Sequence, residues 1–347
     1  MLSVALSDGS AIACGLPEIL RSHHGSAERF SRIVHRGRAV RMQYVFIVGL
    51  PRTGTKLVRN VIENADSIRA RISPETWFFG DLFRTGFRKK ILSFGNLQDD
   101  EVVERVVRYM FSGAINRSYW QFMSRSDVRA NQARMQMALL NSDRSDKAVY
   151  AAILRFYAEL DPEWSSADRR VVGDKTPGHL YYVPTILQWF PNAKIIHTFR
   201  DPRAIMASEL KKIVDNKESA GRFGSIRRGF RAVSVVIYIT VTWLAAVRLH
   251  RRYSKRFEGN YLLSRYEDLV GQPEDAVTRI CQFLEIDSSK GMFDPRHRDS
   301  SFGRDEEGRG FDTAGLDRWK DYLRPWIRIW LRLFTGRYWE RFGYDRR

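Results

Sequence analysis

Tyr44-Val45-Phe46-Ile47-Val48-Gly49-Leu50-Pro51-Arg52-Thr53-Gly54-Thr55-Lys56 is the stretch that decides the fold. Its first five residues are an unbroken apolar, β-prone run, the pattern of a strand buried on both faces of a parallel sheet. Gly49 to Thr55 reads as a turn. Lys56-Leu57-Val58-Arg59-Asn60-Val61-Ile62 reads as a helix with an apolar stripe. A strand, a glycine-bearing turn and a helix, in that order, surround an anion with backbone N–H groups and a helix N-terminus. Gly54 lets the backbone come close to a phosphate. Thr53 and Thr55 offer hydroxyls, and Arg52 and Lys56 offer positive charge.

The same grammar recurs along the chain. Short strands are expected at Ser67–Ile72, Arg170–Gly173, Lys194–Phe199 and Asn260–Leu263, with a helix starting at Ala204. Strands alternating with helices predict a parallel sheet covered on both faces. Residues 78–168 contain no strand pattern and read as a polar, basic, helical insertion that builds an acceptor pocket. The expected class is therefore α/β: a P-loop-type parallel sheet flanked by helices, with a helical insertion after the second strand. Residues 1–41 read as an N-terminal extension and 42–347 as the α/β domain.

Composition narrows the function. The 347 residues carry 58 Lys+Arg against 40 Asp+Glu, a net charge of +18 built from 46 arginines and 12 lysines. Such an excess favours nucleotide phosphates, nucleic acid, sulfated glycans or an acidic membrane surface as partners. The two cysteines, Cys14 and Cys281, form no C-x-x-C or Cys/His pattern, which speaks against a zinc site or a disulfide framework. Met1–Leu20 lacks a basic leader region, so a cytoplasmic protein is expected. The longest uncharged run, Ala232–Val247, is shorter than a spanning helix requires and reads as a helix buried in the domain.

The phosphate loop departs from the G-x-x-x-x-G-K-[ST] pattern, because Thr55 follows Gly54 and Lys56 comes one place late. No strand ends in an aspartate placed to hold Mg²⁺: Asp174 precedes a lysine and Asp201 follows an arginine. The site should neutralise phosphate with arginine and lysine, without a metal. Two alternatives remain open at this point: a P-loop kinase or NTPase, and a basic nucleic-acid-binding protein. The latter shows no recognised nucleic-acid motif, so no specific nucleic-acid partner is expected.

Pro51-Arg-Thr-Gly-Thr-Lys-Leu57 resembles the 5′-phosphosulfate loop of sulfotransferases that use PAPS (3′-phosphoadenosine 5′-phosphosulfate). Arg200-Asp-Pro-Arg-Ala-Ile-Met-Ala-Ser208 resembles the 3′-phosphate motif of the same family. Gly173-Asp-Lys-Thr-Pro177 is similar to a segment of its bacterial and tyrosylprotein branch. Tyr266-Glu-Asp-Leu269 and Arg341-Phe-Gly-Tyr344 also fit, in the family's order. The resemblance implies in-line transfer of a sulfuryl group from PAPS to a hydroxyl or amine, leaving 3′,5′-adenosine bisphosphate. It implies that Arg52, Thr53, Gly54, Thr55, Lys56 and Leu57 hold the 5′ end. Arg200 and Ser208 would hold the 3′-phosphate, and Tyr266 would touch the adenosine. Lys175, beside Arg52, would stabilise the leaving phosphate. Glu75, in Ser73-Pro74-Glu75-Thr76, would be the base, desolvated by Trp77, Phe78 and Phe79. The alternative for Glu75 is a capping carboxylate at the start of a helix at Trp77. His179 is the competing base, and His197 reads as structural. Ser300, Ser301 and Arg318 would close over the nucleotide on a glycine-bearing lid, and Lys212 would add a further cation.

Trp326, Ile329, Trp330, Leu333 and Phe334 recur at helical spacing, with Arg328 and Arg332 between them. Two readings stand: a helix packed on the domain, or a helix at an anionic membrane interface. With Phe83, Phe87, Arg84, Arg88, Lys89 and Lys90, the second suits a peripheral enzyme at the inner leaflet acting on a small or amphiphilic, lipid-linked or glycan acceptor.

Overall fold

The computed structural model describes residues 41–112, 125–215, 222–298 and 307–345. The described residues begin with strand β1 (Arg41–Gly49), followed by α1 (Thr55–Glu63) and β2 (Arg69–Ser73). Four helices come next: α2 (Phe87–Leu92), α3 (Asp100–Phe111), α4 (Arg125–Leu140) and α5 (Asp146–Glu159). Then come β3 (Arg169–Lys175), α6 (Val183–Trp189), β4 (Lys194–Phe199), α7 (Pro202–Asp215) and the long α8 (Arg222–Arg256). The chain continues through β5 (Tyr261–Arg265), α9 (Tyr266–Gly271), α10 (Pro273–Leu284) and the short pair β6 (Arg296–Arg298) and β7 (Glu307–Arg309). It closes with α11 (Trp319–Tyr322) and α12 (Pro325–Thr335).

The five main strands form one sheet in the order β2-β3-β1-β4-β5, all neighbours parallel. β1 sits at the centre because Val45, Phe46, Ile47 and Val48 have no exposed surface and need cover on both sides. Successive side chains alternate. Phe46 and Val48 face the core under the inserted helices, α8 and α12. Val45 and Ile47 face the opposite core, built with Val58, Val61 and Ile62 of α1 and Val277, Ile280 and Leu284 of α10. The expected strands are all present, each within a few residues of its reading. Between β2 and β3 the described residues contain no strand beyond one isolated bridge, Gly80 with Thr85. The N-terminal extension before Arg41 lies outside the described residues.

Two expectations need correction. The run Ala232–Val247 is not buried throughout. It lies in α8, where Val236, Ile239, Trp243, Ala246 and Val247 are buried while Val233, Ile237 and Val241 are exposed. An uncharged run on a 3.6-residue repeat still has a side that nothing covers. In α12 the core face is Ile327, Leu331 and Thr335. Trp326, Ile329, Leu333 and Phe334 lie on the exposed side, so the stripe picked out in the sequence is not the packed one.

One position fixes the central pairing. Gly173 lies opposite Val45, and a Cβ there would stand 1.6 Å from the Val45 carbonyl oxygen. The strands therefore approach only without a side chain at 173. Gly173→Ala should destabilise the fold by about 1–3 kcal/mol or more, the range for overpacking. Chemical denaturation would show this as a lower midpoint with an unchanged slope.

Candidate active site

A cavity of about 990 Å³ opens where β1, β3 and β4 end. Such crevices, beyond the carboxyl ends of parallel strands, are where open α/β sheets bind ligands. The loop after β1 forms its floor. Gly54 takes φ 90° at the N-cap of α1, and no side chain caps that helix end, so its first N–H groups face outward. A Cβ on Gly54 would meet the Tyr266 ring at 2.7 Å. Glycine is thus required twice over, for its backbone angle and for its closeness to Tyr266.

The loop's side chains divide in role. Thr55, Lys56 and Leu57 line the cavity together with Arg52 and Gly54. The Thr53 hydroxyl does not serve a ligand: it donates to the Leu50 carbonyl at 2.7 Å and lies 2.7 Å from the Thr198 hydroxyl. Burial explains the difference, since a hydroxyl with 1% exposure must find partners inside the protein. Arg52, at φ 70°, turns outward, and its Nε donates to Ser208 Oγ at 2.8 Å, with Glu209 Oε1 at 3.6 Å. The structure brings Ser208 into the cavity, but against Arg52 rather than Arg200.

Arg200 enters from the end of β4. Its Nη1 donates to the Arg52 carbonyl at 3.1 Å and its Nη2 to the Gly315 carbonyl at 2.8 Å. Its guanidinium carbon lies 3.8 Å from the Tyr266 ring centre, a cation–π stack. Its buried Nε has no hydrogen-bond partner among the described residues. Asp201 and Arg203, by contrast, pair with each other. Asp201 caps the start of α7 by accepting from the Arg203 N–H at 2.8 Å, and it also binds Arg203 Nη2 at 2.7 Å. A local ion pair and a cavity-lining arginine thus occupy the same four-residue motif. Behind it, the half-buried Glu267 accepts from the Asp201 N–H at 2.9 Å and from the Tyr344 hydroxyl at 3.3 Å. Burial, chiefly, pushes the Glu267 carboxyl up. The Tyr266–Leu269 and Arg341–Tyr344 motifs therefore meet, as a brace for the Arg200 turn. Their wide separation in sequence hid that role.

The opposite wall carries the ionisable pair. Lys175, at the end of β3, donates to Glu75 Oε1 at 2.6 Å. Trp77 Nε1 donates to Glu75 Oε2 at 3.2 Å, and all three residues line the cavity. No helix starts at Trp77, so Glu75 is not a capping carboxylate. Phe78 and Phe79 do not shield it either, being buried in the core. Of those three aromatic residues, it is Trp77 that contacts it. Glu75 and Trp77 adopt φ 152° and 51°, and with Arg52 they concentrate backbone strain around one cavity.

A buried hub holds this wall in place. The Asp174 carboxylate accepts from Thr76 Oγ1 at 2.5 Å, Thr176 Oγ1 at 2.9 Å and the Tyr150 hydroxyl at 2.9 Å. His179 Nδ1 lies 3.1 Å away. His179 Nε2 accepts the Phe79 N–H at 3.2 Å, which leaves Nδ1 as the donor to Asp174. The imidazole is buried and does not line the cavity, so His179 is not a competing base; its role is to hold Asp174. His197 is buried in β4 against the Tyr261 hydroxyl at 2.5 Å, and burial with His250 nearby pushes it down to about 3. It is structural, as its strand position implied.

Arg318 lines the cavity and donates to Asp312 at 3.0 Å. Lys212 lines it too and pairs with Glu209 at 3.2 Å. Ser300 and Ser301 lie outside the described residues. Two of the cavity's acidic groups, Asp81 and Glu209, were not foreseen. Neither sits in a motif.

The donor set suits a nucleotide with two separated phosphates. Arg52 stands on the loop and Lys56 on the first turn of α1, Arg200 one strand to one side with a buried N–H to give, and Lys175 one strand to the other. Asp174 and Asp201 are fully engaged by protein partners and are not free to ligate a metal. Fold and site together set a glycine-bearing turn, arginines and lysines at the ends of neighbouring parallel strands. A model described as "Sulfotransferase family" matches residues 44–290, and the chain belongs to that family. It is a sulfotransferase, and the family's sulfuryl donor is PAPS. The chain is 22% identical over 246 residues to a protein-tyrosine sulfotransferase of Drosophila melanogaster, which covers 71% of this chain and 38% of that protein. It is 30% identical over 125 residues to the omega-hydroxy-beta-dihydromenaquinone-9 sulfotransferase Stf3 of Mycobacterium tuberculosis, covering 34% and 29%. The sulfotransferase domain of the Synechococcus PCC 7002 olefin synthase superposes with a TM-score of 0.53 at 19% identity, over 90% of this chain and 98% of that domain.

The hub makes a pH prediction. Burial raises the Asp174 carboxyl, but His179 and the hydrogen bonds from Thr76 and Tyr150 outweigh it and hold it below the usual carboxylate range. A depressed folded value adds stability that is complete above the unfolded value of about 3.9 and is lost as pH falls through the lower folded one. The difference in Tm between the wild type and Asp174→Asn should therefore be constant near neutrality and close below about pH 4. A gap that stays constant to well below pH 4 would mean that folding does not shift the Asp174 carboxyl.

Proposed function

We propose that this enzyme moves the sulfuryl group of PAPS to the hydroxyl of an amphiphilic acceptor, with Glu75 as the base and Lys175 and Arg52 stabilising the leaving group. The observation that carries the reading is the Glu75–Lys175 pair at 2.6 Å, facing the phosphate loop across one cavity. It sets a proton acceptor and a cation on one wall, and an in-line transfer needs both kinds of group around the reacting atoms.

When bound, PAPS supplies the sulfuryl group and departs as 3′,5′-adenosine bisphosphate. The residues that would hold it are Arg200 and Ser208 at the 3′-phosphate, the Gly54–Leu57 turn with Arg52 at the 5′ end, and Tyr266 at the adenosine. Arg318 would contribute from above. Glu75 takes the proton of the acceptor hydroxyl at a carboxylate oxygen. Lys175 has its ammonium positioned to offset negative charge on the leaving oxygen. Trp77 holds the carboxylate's second oxygen and covers it. The apolar side of the cavity, including Val235, Tyr238 and Ile239 of α8, supports an acceptor with an apolar body. Stf3, whose name records an omega-hydroxy-beta-dihydromenaquinone-9 as acceptor, is consistent with that class. A protein tyrosine is the second reading, favoured by the Drosophila relative.

Glu75→Gln should lower turnover by roughly 10²–10⁴-fold, the range for a general base. Because the change also releases Lys175, affinity for 3′,5′-adenosine bisphosphate should stay level or tighten. Near-normal turnover in that variant would remove Glu75 from the chemistry.

Arg200→Ala tests the nucleotide grip. Calorimetry should show 3′,5′-adenosine bisphosphate weakened by about 1.5–3 kcal/mol, as for a charge-assisted hydrogen bond. Adenosine 5′-monophosphate should bind almost equally to both proteins. Equal losses for the two ligands would place Arg200 elsewhere than at the 3′-phosphate.

A further inference from the structure

α8 presents three faces, because its residues advance by about 100° each. Val236, Trp243 and Val247 point into the core. Arg231, Val235, Tyr238 and Thr242 form a wall of the active-site cavity. Phe230, Val233, Ile237 and Val241, spaced three and four apart, form an apolar stripe that stays exposed, from 75% at Phe230 to 45% at Val241. Ser234 lies between the stripe and the cavity wall, lining the cavity while itself exposed.

A second exposed apolar surface adjoins the stripe. Trp330 of α12 donates from Nε1 to Thr240 Oγ1 of α8 at 3.1 Å, so the two helices lie side by side. Trp326, Ile329, Leu333 and Phe334 of α12 are exposed, Leu333 at 75%. On the cavity side, the exposed Phe83 ring lies 5.1 Å from that of Tyr238, and its neighbour Leu82 is exposed as well. The apolar surface thus runs from α12 across α8 to the mouth of the acceptor pocket. Cations border it: Arg84 and Arg231 at the mouth, and Arg332 and Arg337 on α12 and just beyond it. Exposed patches of this kind mark interaction sites rather than ordinary surface.

We infer that this face is a membrane-docking surface that seats the acceptor pocket on an anionic lipid bilayer, so that an amphiphilic acceptor enters from the membrane by way of α8. The inference rests on the amphiphilic-acceptor reading above. The chemistry of the patch selects a lipid surface as its occupant. Trp, Phe and Leu interleaved with Arg on helices lying along the surface is the composition of an interfacial helix. The arginines match anionic headgroups, each worth about a fivefold gain in partitioning near such a leaflet. Continuity with the pocket gives the surface a purpose: an apolar acceptor can pass from bilayer to Glu75 with its body never fully in water. In this arrangement α8 lies along the bilayer: Gly229–Arg256 is long and apolar enough to cross a membrane by length and composition, but two of its three faces pack on the core and the pocket.

Flotation of the full chain with vesicles tests this, using phosphatidylcholine alone against phosphatidylcholine mixed with phosphatidylglycerol at physiological salt. The wild type should partition at least tenfold more strongly onto the anionic vesicles. The double variant Phe230→Glu/Leu333→Glu should lose that binding by on the order of tenfold or more, since two carboxylates replace side chains that already sit in water and leave the fold intact. A thermal melt and binding of 3′,5′-adenosine bisphosphate would confirm that it is folded. Equal recovery with neutral and anionic vesicles, no recovery with either, or undiminished binding by the double variant would overturn the proposal. So would a dimer, seen by light scattering without lipid, that the double variant abolishes, because the face would then belong to a second copy. Turnover of one alcohol headgroup on long and short alkyl chains, assayed in detergent, separates the two readings. A long-chain preference without vesicle binding keeps the amphiphilic acceptor and removes the docking surface. No chain-length preference removes the acceptor reading itself.

Discussion

The carboxylate of Asp174 lies out of reach of water, and a buried charge must be met by donors on every side. Those donors come from separate parts of the chain: Thr76 after β2, Tyr150 on α5, Thr176 and His179 after β3. Satisfying them locks two loops into one arrangement. Thr76 is the residue after Glu75, and Asp174 precedes Lys175. The hub therefore fixes the base and the cation by fixing their neighbours. Removing one partner would leave the others around an incompletely compensated charge, which is strongly destabilising in a protein interior.

A second brace works in the same way on the other side of the cavity. Arg200 is held by two carbonyls and the Tyr266 ring, and the turn that carries it is anchored through Asp201 to Glu267 and then to Tyr344. The cavity walls are thus rigid where the chemistry needs fixed positions. Strained backbone at Arg52, Glu75 and Trp77 is tolerated because these networks over-determine it.

Much of this was legible in the sequence, for physical reasons. The run Tyr44–Val48 has no polar residue and so fits only a doubly covered strand, which in turn placed the phosphate loop. Lys175, Arg200 and Ser208 stand just after strands or on the following helix, and such positions converge on one end of a parallel sheet. Local readings failed where burial decides the outcome. The Thr53 hydroxyl and the His179 imidazole carry ligand-like chemistry, yet both are turned inward by partners that no spacing reveals. The exposed sides of α8 and α12 failed in the opposite sense: a residue's polarity says what it prefers, not whether another helix is there to cover it. Glu267 was visible only as part of a motif, because its partner lies far along the chain.

The strand order has a consequence for how the chain acquires its structure. β1, the most apolar strand, is the earliest of the five, yet both its neighbours come much later: Arg41 pairs with Arg169, and Val45 with Lys194. Every pairing in the sheet is parallel, so none can form as a local hairpin. Loop closure over such distances must precede any reward from the contacts, which makes folding slow. During synthesis the sticky segment Tyr44–Val48 is therefore exposed for as long as it takes to make more than a hundred further residues. Association of nascent chains through that segment, rather than instability of the finished enzyme, is the hazard built into this topology.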